Sequence, residues 1–390
     1  MEGSAEGCLE RVNAHSVSGW LAPQNGSPGE VTVLMNGARI ARFRARGFRA
    51  DATGDPQGAV GFEFQLPRQI GLGDVVSATD AAGRHLRNSP YGVAKGSRQD
   101  KALWLISRDM KILEIGPSYN PLVPRSRGWN SFTLDHASED ELRLKYGSVQ
   151  RVDRIEHVDY IWNAGDLEAA VPAGEHGSFD AIVASHVIEH VPDPIGWFAS
   201  LSKLLKPEGY VALAIPDKRT MFDFFNPLTR TSDYLCAHYL KRRRHSRQTA
   251  FDNIAGGVQE DGNYTWSLRP VGDFRFRFGN SLMEAARIFE SAIEDESAPY
   301  VDYHATFYTP SSFALIVLEL HQMGLLPFKV ECAFPTSGCE FFVTLRRESP
   351  SRLDVATLDR ERLRLMAAVV RETGEQSLCL VNRSRSQFIS

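Results

Sequence analysis

Cysteine is scarce and unpatterned in this sequence. The five residues (Cys8, Cys236, Cys332, Cys339 and Cys379) are odd in number and form no C-x-x-C pair. That excludes a disulfide framework and a thiolate zinc site as the basis of the fold. Long apolar runs are missing too. None approaches the ~20 residues of a membrane span, and the opening MEGSAEGCLERV has no apolar signal core. A cytoplasmic chain with no integral membrane segment is therefore expected. Nor does either sign of charge dominate. With Lys+Arg 44 against Asp+Glu 48, the formal net charge is -4. Such a balance gives no general attraction to nucleic acid or anionic lipid, so no nucleic-acid partner is expected. One local exception is Lys241-Arg242-Arg243-Arg244-His245, readable as a solvated face or as a contact for an anionic acceptor.

What is present is the composition of a globular protein, 43% hydrophobic and 24% charged over 390 residues, a length that suits two domains. Up to about residue 92 the chain reads as short strands. "EVTVLMNGARIARFRAR" alternates apolar and polar residues on both sides of Asn36-Gly37, the strongest short hairpin signal. "GFEFQLP" and "DVVSATDAAGRHL" continue the pattern between glycine and proline punctuation. A small antiparallel β-sandwich over residues 1–92 is the expectation.

Beyond a polar stretch around Val93 to Lys101, strands and helices alternate. Strand candidates are Lys111–Ile115, Ser131–Asp135, Val158–Trp162, Phe179–Ala184 and Tyr210–Ile215, with helices near Ser138–Tyr146 and Pro194–Leu205. That alternation predicts a mostly parallel α/β sheet. The irregular stretch 217–310 reads as an insertion. A helix at Ser311–Met323 and a hairpin made by "PFKVECAF" and "CEFFVTLRR" then close the sheet, which ends by residue 346. Residues 347–390 add an amphipathic helix at Leu358–Arg371 and a tail.

The stretch "DMKILEIGPSYNPLVP" starts as a buried strand and then turns at Glu114, Gly116 and Pro117. A dinucleotide would need backbone N–H groups close to its pyrophosphate. Here two prolines supply none and Tyr119 adds bulk, so a pyrophosphate cofactor is disfavoured. S-adenosyl-L-methionine has no phosphate. It asks for a turn, an acidic group near its ammonium and a second for its ribose. Asp135 closes the next strand at the ~20-residue offset where a carboxylate meets ribose hydroxyls. Asp166, in "WNAGDLEAA", follows the third strand and suits the adenine amino group, although a turn or helix cap explains it equally well.

Residues 101–346, on "ILEIGPSYNP", "FTLDH", "GSFDAIVASHVIEHVPDPIGWF" and "LLKPEGYVALAIPDKR", resemble class I, Rossmann-like, S-adenosylmethionine-dependent methyltransferases. The resemblance implies cofactor contacts from Glu114, Gly116, Ser118, Asp135, Asp166 and His186. The family's usual G-x-G-x-G keeps only Gly116. "ASHVIEHVPD", "IPDKR" and "DYH…FTPSSF" resemble a bacterial subgroup whose members sit among polysaccharide-assembly genes. The N-terminal motifs Gly19-Trp20, Asn36-Gly37, Phe48-Arg49-Ala50-Asp51, Gly61-Phe62 and Asn88-Ser89-Pro90 resemble accessory modules of the same systems. Together they imply a saccharide acceptor, with a small-molecule acceptor as the competing enzymatic reading and a non-catalytic carbohydrate-binding protein as the third. Trp20 reads as core more readily than as a sugar platform. Oligomeric state is not legible.

If the acceptor is a hydroxyl, a base assists, and histidine suits neutral pH. Three groups follow strands into the expected crevice. His186, Glu189 and His190 follow strand four, Asp217, Lys218 and Arg219 follow strand five, and Asp302 and His304 precede the last sheet-covering helix. His304 is the first candidate base and His190 the second. Asp302, two positions from His304, would face the same way in an extended segment. Lys218 and Arg219 are candidates to hold an acidic acceptor. His186-x-x-Glu189-His190 also spells an inverted zinc-peptidase pattern. Its place directly after a buried strand, ended by Pro192, argues against a peptidase. An ion assisting O-methylation and a simple bracing of the loop both remain open, and no residue is assigned as a metal ligand.

Overall fold

The computed structural model describes residues 6–387 except 24–28, 50–58, 72, 94–95, 149–150, 164, 270, 280 and 295–296. The chain forms two compact units, 1–107 and 108–390.

The first unit holds strands β1 (Gly7–Val12), β2 (Ser16–Leu21), β3 (Glu30–Met35), β4 (Ala38–Arg44), β5 (Gly47–Arg49), β6 (Ala59–Gln65), β7 (Val75–Thr79) and β8 (Tyr91–Gly92). They make two four-stranded antiparallel sheets, β1-β2-β6-β5 and β4-β3-β7-β8. The Asn36-Gly37 hairpin is present: both residues take the left-handed φ (50° and 82°) that a two-residue turn demands, and Met35 pairs with Ala38. On β3 the alternation is literal, with Val31, Val33 and Met35 buried. Gly19 faces Phe62 and Trp20 faces Gly61 across β2 and β6. A Cβ on Gly19 would meet the Cys8 carbonyl oxygen at 2.1 Å, so the close strand approach itself requires glycine. Trp20 is buried against Cys8, as a core residue. Ala50 and Asp51 of the third motif lie outside the described residues.

The second unit is built on a seven-stranded sheet of β9 (Ile112–Ile115), β10 (Ser131–Asp135), β11 (Tyr160–Ile161), β12 (Phe179–Ser185), β13 (Leu205–Pro216), β16 (Phe328–Ser337) and β17 (Glu340–Arg347). A separate pair, β14 (Val258–Glu260) and β15 (Phe274–Phe276), belongs to the insertion. The order is β11-β10-β9-β12-β13-β17-β16. Neighbours from β11 to β13 run parallel, while β17 is antiparallel to β13 and β16. This is the expected Rossmann-like sheet closed by an antiparallel hairpin. The chain winds from β9 to one edge and then restarts at β12 on the other side of β9. The crevice beyond the carboxyl ends of β9 and β12 is therefore the switch point where such sheets bind ligands.

Packing follows from the apolar faces. The Pro194–Leu204 helix opens on an N-cap, Asp193 accepting from the Gly196 N–H, with proline at its first position. It buries Phe198, Leu201 and Leu204 completely in the sheet core, each contributing roughly 1.5–3 kcal/mol. The Pro310–Gln322 helix adds Phe313, Ile316, Val317 and Leu320 to the same core.

Two expectations need correcting. The third strand shrinks to Tyr160–Ile161, because it lies at the sheet edge and pairs only with β10. The C-terminal helix runs from Val355 to Gln387, well past Arg371. No proline interrupts it, and Gly374 costs it only ~1 kcal/mol. Its later turns also find partners: Cys379 joins Phe224, Val258, Trp266 and Val271 of the insertion in one small core. Among the described residues no helix is long and apolar enough to cross a membrane.

Candidate functional site

The crevice wall starts at Gly116, whose φ of 62° suits glycine and whose N–H donates to the Leu134 carbonyl at 2.8 Å. A Cβ there would come within 3.2 Å of Val187 Cγ2, so the loop after β9 lies directly against the loop after β12. Ser118, also left-handed (φ 46°), donates its backbone N–H to Asp135 Oδ2 at 2.9 Å. Asp135 ends β10, is buried, and takes His136 N and Nδ1 on its other oxygen at 2.8 and 2.7 Å. Glu114 is buried within β9 and accepts from the backbone N–H groups of Leu122 (2.6 Å) and Val123 (3.3 Å). Both acids thus fix the shape of the loop between Gly116 and Val123.

His186 leaves β12 with a φ of 55°. Its Nε2 lies 3.0 Å from Glu340 Oε2, and its Nδ1 lies 3.6 Å from Glu189 Oε1. Asp166 precedes a short 3-10 turn at Leu167–Ala170, and its side chain is paired with Arg243 of the basic cluster rather than with the turn. Two more members of that cluster are engaged: Arg244 bonds the Ala298 carbonyl at 2.8 Å, and His245 is buried beside Tyr300 and Tyr303. Burial, and then the charge of His190, push the His245 pKa down to about 4.

At the centre, all three residues expected to carry the chemistry converge, but with different partners from those expected. His190 Nδ1 lies 2.8 Å from Asp302 Oδ1. His304 Nδ1 lies 2.6 Å from Asp223 Oδ2, so Asp223 rather than Asp302 orients His304. The reason is packing: Asp302 is exposed on one side of the segment, while His304 is buried with Phe222 against its ring. The His190 and His304 rings meet edge to face, centroids 4.5 Å apart at 90°. Backbone bonds dock the segment, Ala305 N–H donating to the Glu189 carbonyl at 2.6 Å. Burial works to lower the His190 pKa, but the Asp302 hydrogen bond and the nearby Glu189, Asp302 and Asp223 charges raise it above the ordinary imidazole value. The same hydrogen bond outweighs burial at Asp302 and holds its carboxyl well below the usual range.

Glu189 is fully buried, and neither of its carboxylate oxygens has a hydrogen-bond partner among the described residues. Ligand atoms of Glu189, His190 and His304 all lie within 4.8 Å of one another. Asp223 escaped the sequence reading. Its one signal was an acid set among Phe222, Phe224 and Phe225, where burial demands a partner.

Lys218 and Arg219 are not acceptor ligands. Lys218 is buried, its Nζ donating to the Phe224 carbonyl (2.8 Å) and Gln376 Oε1 (3.0 Å), and burial pushes its pKa down to about 8. Arg219 is buried between Asp217 (2.6 Å) and Glu375 (2.7 Å). Both serve the join between the end of β13 and the C-terminal helix.

A family model described as "Methyltransferase domain" matches residues 93–269. Among curated proteins, the chain is 30% identical over 129 residues to a "Ubiquinone biosynthesis O-methyltransferase" of Thiobacillus denitrificans, covering 33% of this chain and 48% of that protein. A protein of the same name from Xanthomonas campestris pv. campestris is 35% identical over 72 residues, 18% of this chain and 28% of that one. The chain thus spans about half the length of these relatives or less. Among solved structures, an S-adenosylmethionine-dependent methyltransferase from Mesorhizobium loti aligns with TM-score 0.32 and 12% identity, covering 65% of this chain and 100% of that chain.

Proposed function

We propose that this chain, whose residues 93–269 match a family model described as "Methyltransferase domain", is a class I S-adenosylmethionine-dependent methyltransferase that methylates a hydroxyl oxygen, with a sugar hydroxyl of a bacterial surface polysaccharide or its precursor as acceptor. In the reaction the S–CH₃ bond of the sulfonium breaks, the O–CH₃ bond forms, the hydroxyl proton is lost and S-adenosylhomocysteine leaves. The observation that carries the reading is the meeting of His190 and His304 beside the switch point, each with Nδ1 engaged by a carboxylate. The Asp223 bond leaves His304 Nε2 as the ring atom that would take the acceptor hydroxyl proton, with His190 beside it. The cofactor would lie over β9 and β10, touching Gly116, Ser118, Asp135, Asp166 and His186, with Glu114 shaping the turn beneath its ammonium. The insertion would deliver the acceptor.

Oxygen as the methylated atom is supported by the names of the curated relatives, which are O-methyltransferases. The saccharide acceptor is supported by the N-terminal motifs. The relatives' part in ubiquinone biosynthesis favours a second reading, a small-molecule acceptor. An acceptor screen with methyl-labelled cofactor, pitting lipid-linked oligosaccharides against small hydroxylated metabolites, separates the two. Label recovered on a sugar oxygen supports the first reading, and label only on a small metabolite supports the second. Label on nitrogen or carbon overturns both.

A further inference from the structure

We infer that Glu189, His190 and His304 form a binding site for one divalent first-row transition cation. Three observations converge on it. The Glu189 carboxylate is fully buried with both oxygens unbonded among the described residues, a costly state for a charge unless something positive sits beside it. Its neighbouring nitrogens do not relieve that state: His186 Nδ1 at 3.6 Å and His190 Nε2 at 3.9 Å lie beyond hydrogen-bond length. A gap of that size, too long for a hydrogen bond, admits an ion about 2.0–2.2 Å from each ligand atom.

The second observation is the outer ring of carboxylates. Asp223 holds His304 Nδ1 in a hydrogen bond, and Asp302 Oδ1 stands 2.8 Å from His190 Nδ1 as an ion-pair partner. At His304 this carboxylate–histidine arrangement fixes the tautomer and orientation of a metal-ligating imidazole and leaves Nε2 as the donor atom. The third is placement. Glu189 and His190 come from the turn after β12, His304 from the far end of the insertion, and their ligand atoms still gather within 4.8 Å. Two imidazoles and one carboxylate suit zinc, iron, cobalt or manganese, whereas magnesium and calcium prefer an all-oxygen shell. Three protein ligands leave an open position, which the acceptor hydroxyl oxygen would take; the cation would lower its pKa. That role in turnover rests on the methyltransferase reading, but the binding does not. A bound cation uses both Nε2 lone pairs, so it replaces an imidazole base.

The test uses the full chain, stripped with a chelator and titrated with Co²⁺, Zn²⁺ and Mg²⁺ separately. The expected result is saturation at about one equivalent of Co²⁺ or Zn²⁺, a visible cobalt spectrum of mixed nitrogen and oxygen ligation, and no saturable Mg²⁺ binding. Glu189→Gln and His304→Asn should each weaken Co²⁺ binding by roughly 100-fold, and Asp223→Asn, which touches no ion, by ~10–100-fold. S-adenosylhomocysteine titrations run alongside, with unchanged affinity in the variants showing an intact fold. Absence of saturable Co²⁺ and Zn²⁺ binding by the wild type overturns the site, as does equal Co²⁺ affinity in Glu189→Gln. Should Glu189→Gln fail to fold, the wild-type cobalt spectrum decides. Failure to bind S-adenosylhomocysteine would instead strike the methyltransferase reading and leave the cation site standing.

Discussion

His304 Nδ1 and Asp223 Oδ2 lie 2.6 Å apart, both buried, across a sequence separation of 81 residues. The pair pins the far end of the insertion to its beginning and fixes which ring nitrogen of His304 is turned away from the carboxylate. Its counterpart, His190 with Asp302, is made half in solvent.

That difference sets the first prediction. His304→Ala removes a group from the reacting centre without touching the loop after β9. Transfer should fall by ~10²–10⁴-fold, while calorimetry shows unchanged S-adenosylhomocysteine affinity. Near wild-type turnover would remove His304 from the chemistry. Asp302→Ala should cost less than Asp223→Ala, because water can replace an exposed carboxylate beside His190.

The cofactor loop gives the second. Asp135 shapes that loop through Ser118 and is the candidate ribose ligand. Asp135→Ala should weaken S-adenosylhomocysteine binding by roughly 1.5–3 kcal/mol, the range for hydrogen bonds to a charged group. NAD should not bind either protein. Undiminished affinity in the variant would exclude Asp135 from the site.

A third prediction concerns pH. The folded Lys218 pKa, lowered to about 8 by burial, lies below the unfolded value near 10.4. Below pH 8 both states hold the proton and the fold bears the full cost of a buried ammonium. Between those values the unfolded chain binds more protons, so stability rises with pH. Lys218→Met removes the titration. Its stability relative to wild type should therefore shift by about 3 kcal/mol in favour of wild type between pH 7.5 and 10.5, read from urea midpoints. A difference independent of pH would refute the lowered pKa.

The C-terminal helix supplies the fourth. Ending the chain after Arg371 removes Glu375 from Arg219, Gln376 from Lys218 and Cys379 from the insertion core. Each lost bond to a buried charged group costs roughly 1.5–3 kcal/mol. A melting temperature lower by several degrees is expected, and an unchanged one would show that the helix is an appendage.

Local patterns carried the sheet. Buried runs such as Ile112–Ile115 and Phe179–Ser185, the Asn36-Gly37 turn and the acid-x-Gly ending of β9 depend on residues adjacent in the chain, so periodicity and turn chemistry suffice to find them. The same locality brought Glu114, Gly116, Asp135, His190 and His304 to notice as candidates. Partnership was another matter. Asp302 stands two positions from His304 yet holds His190, while His304 takes Asp223 from the opposite end of the insertion. Lys218 and Arg219 look like surface charges in "IPDKR", and only the returning C-terminal helix buries them. Hydrogen bonds and ion pairs between distant segments are decided by which buried charges must be satisfied once the core has closed. That demand is written in three dimensions, and the order of the residues does not contain it.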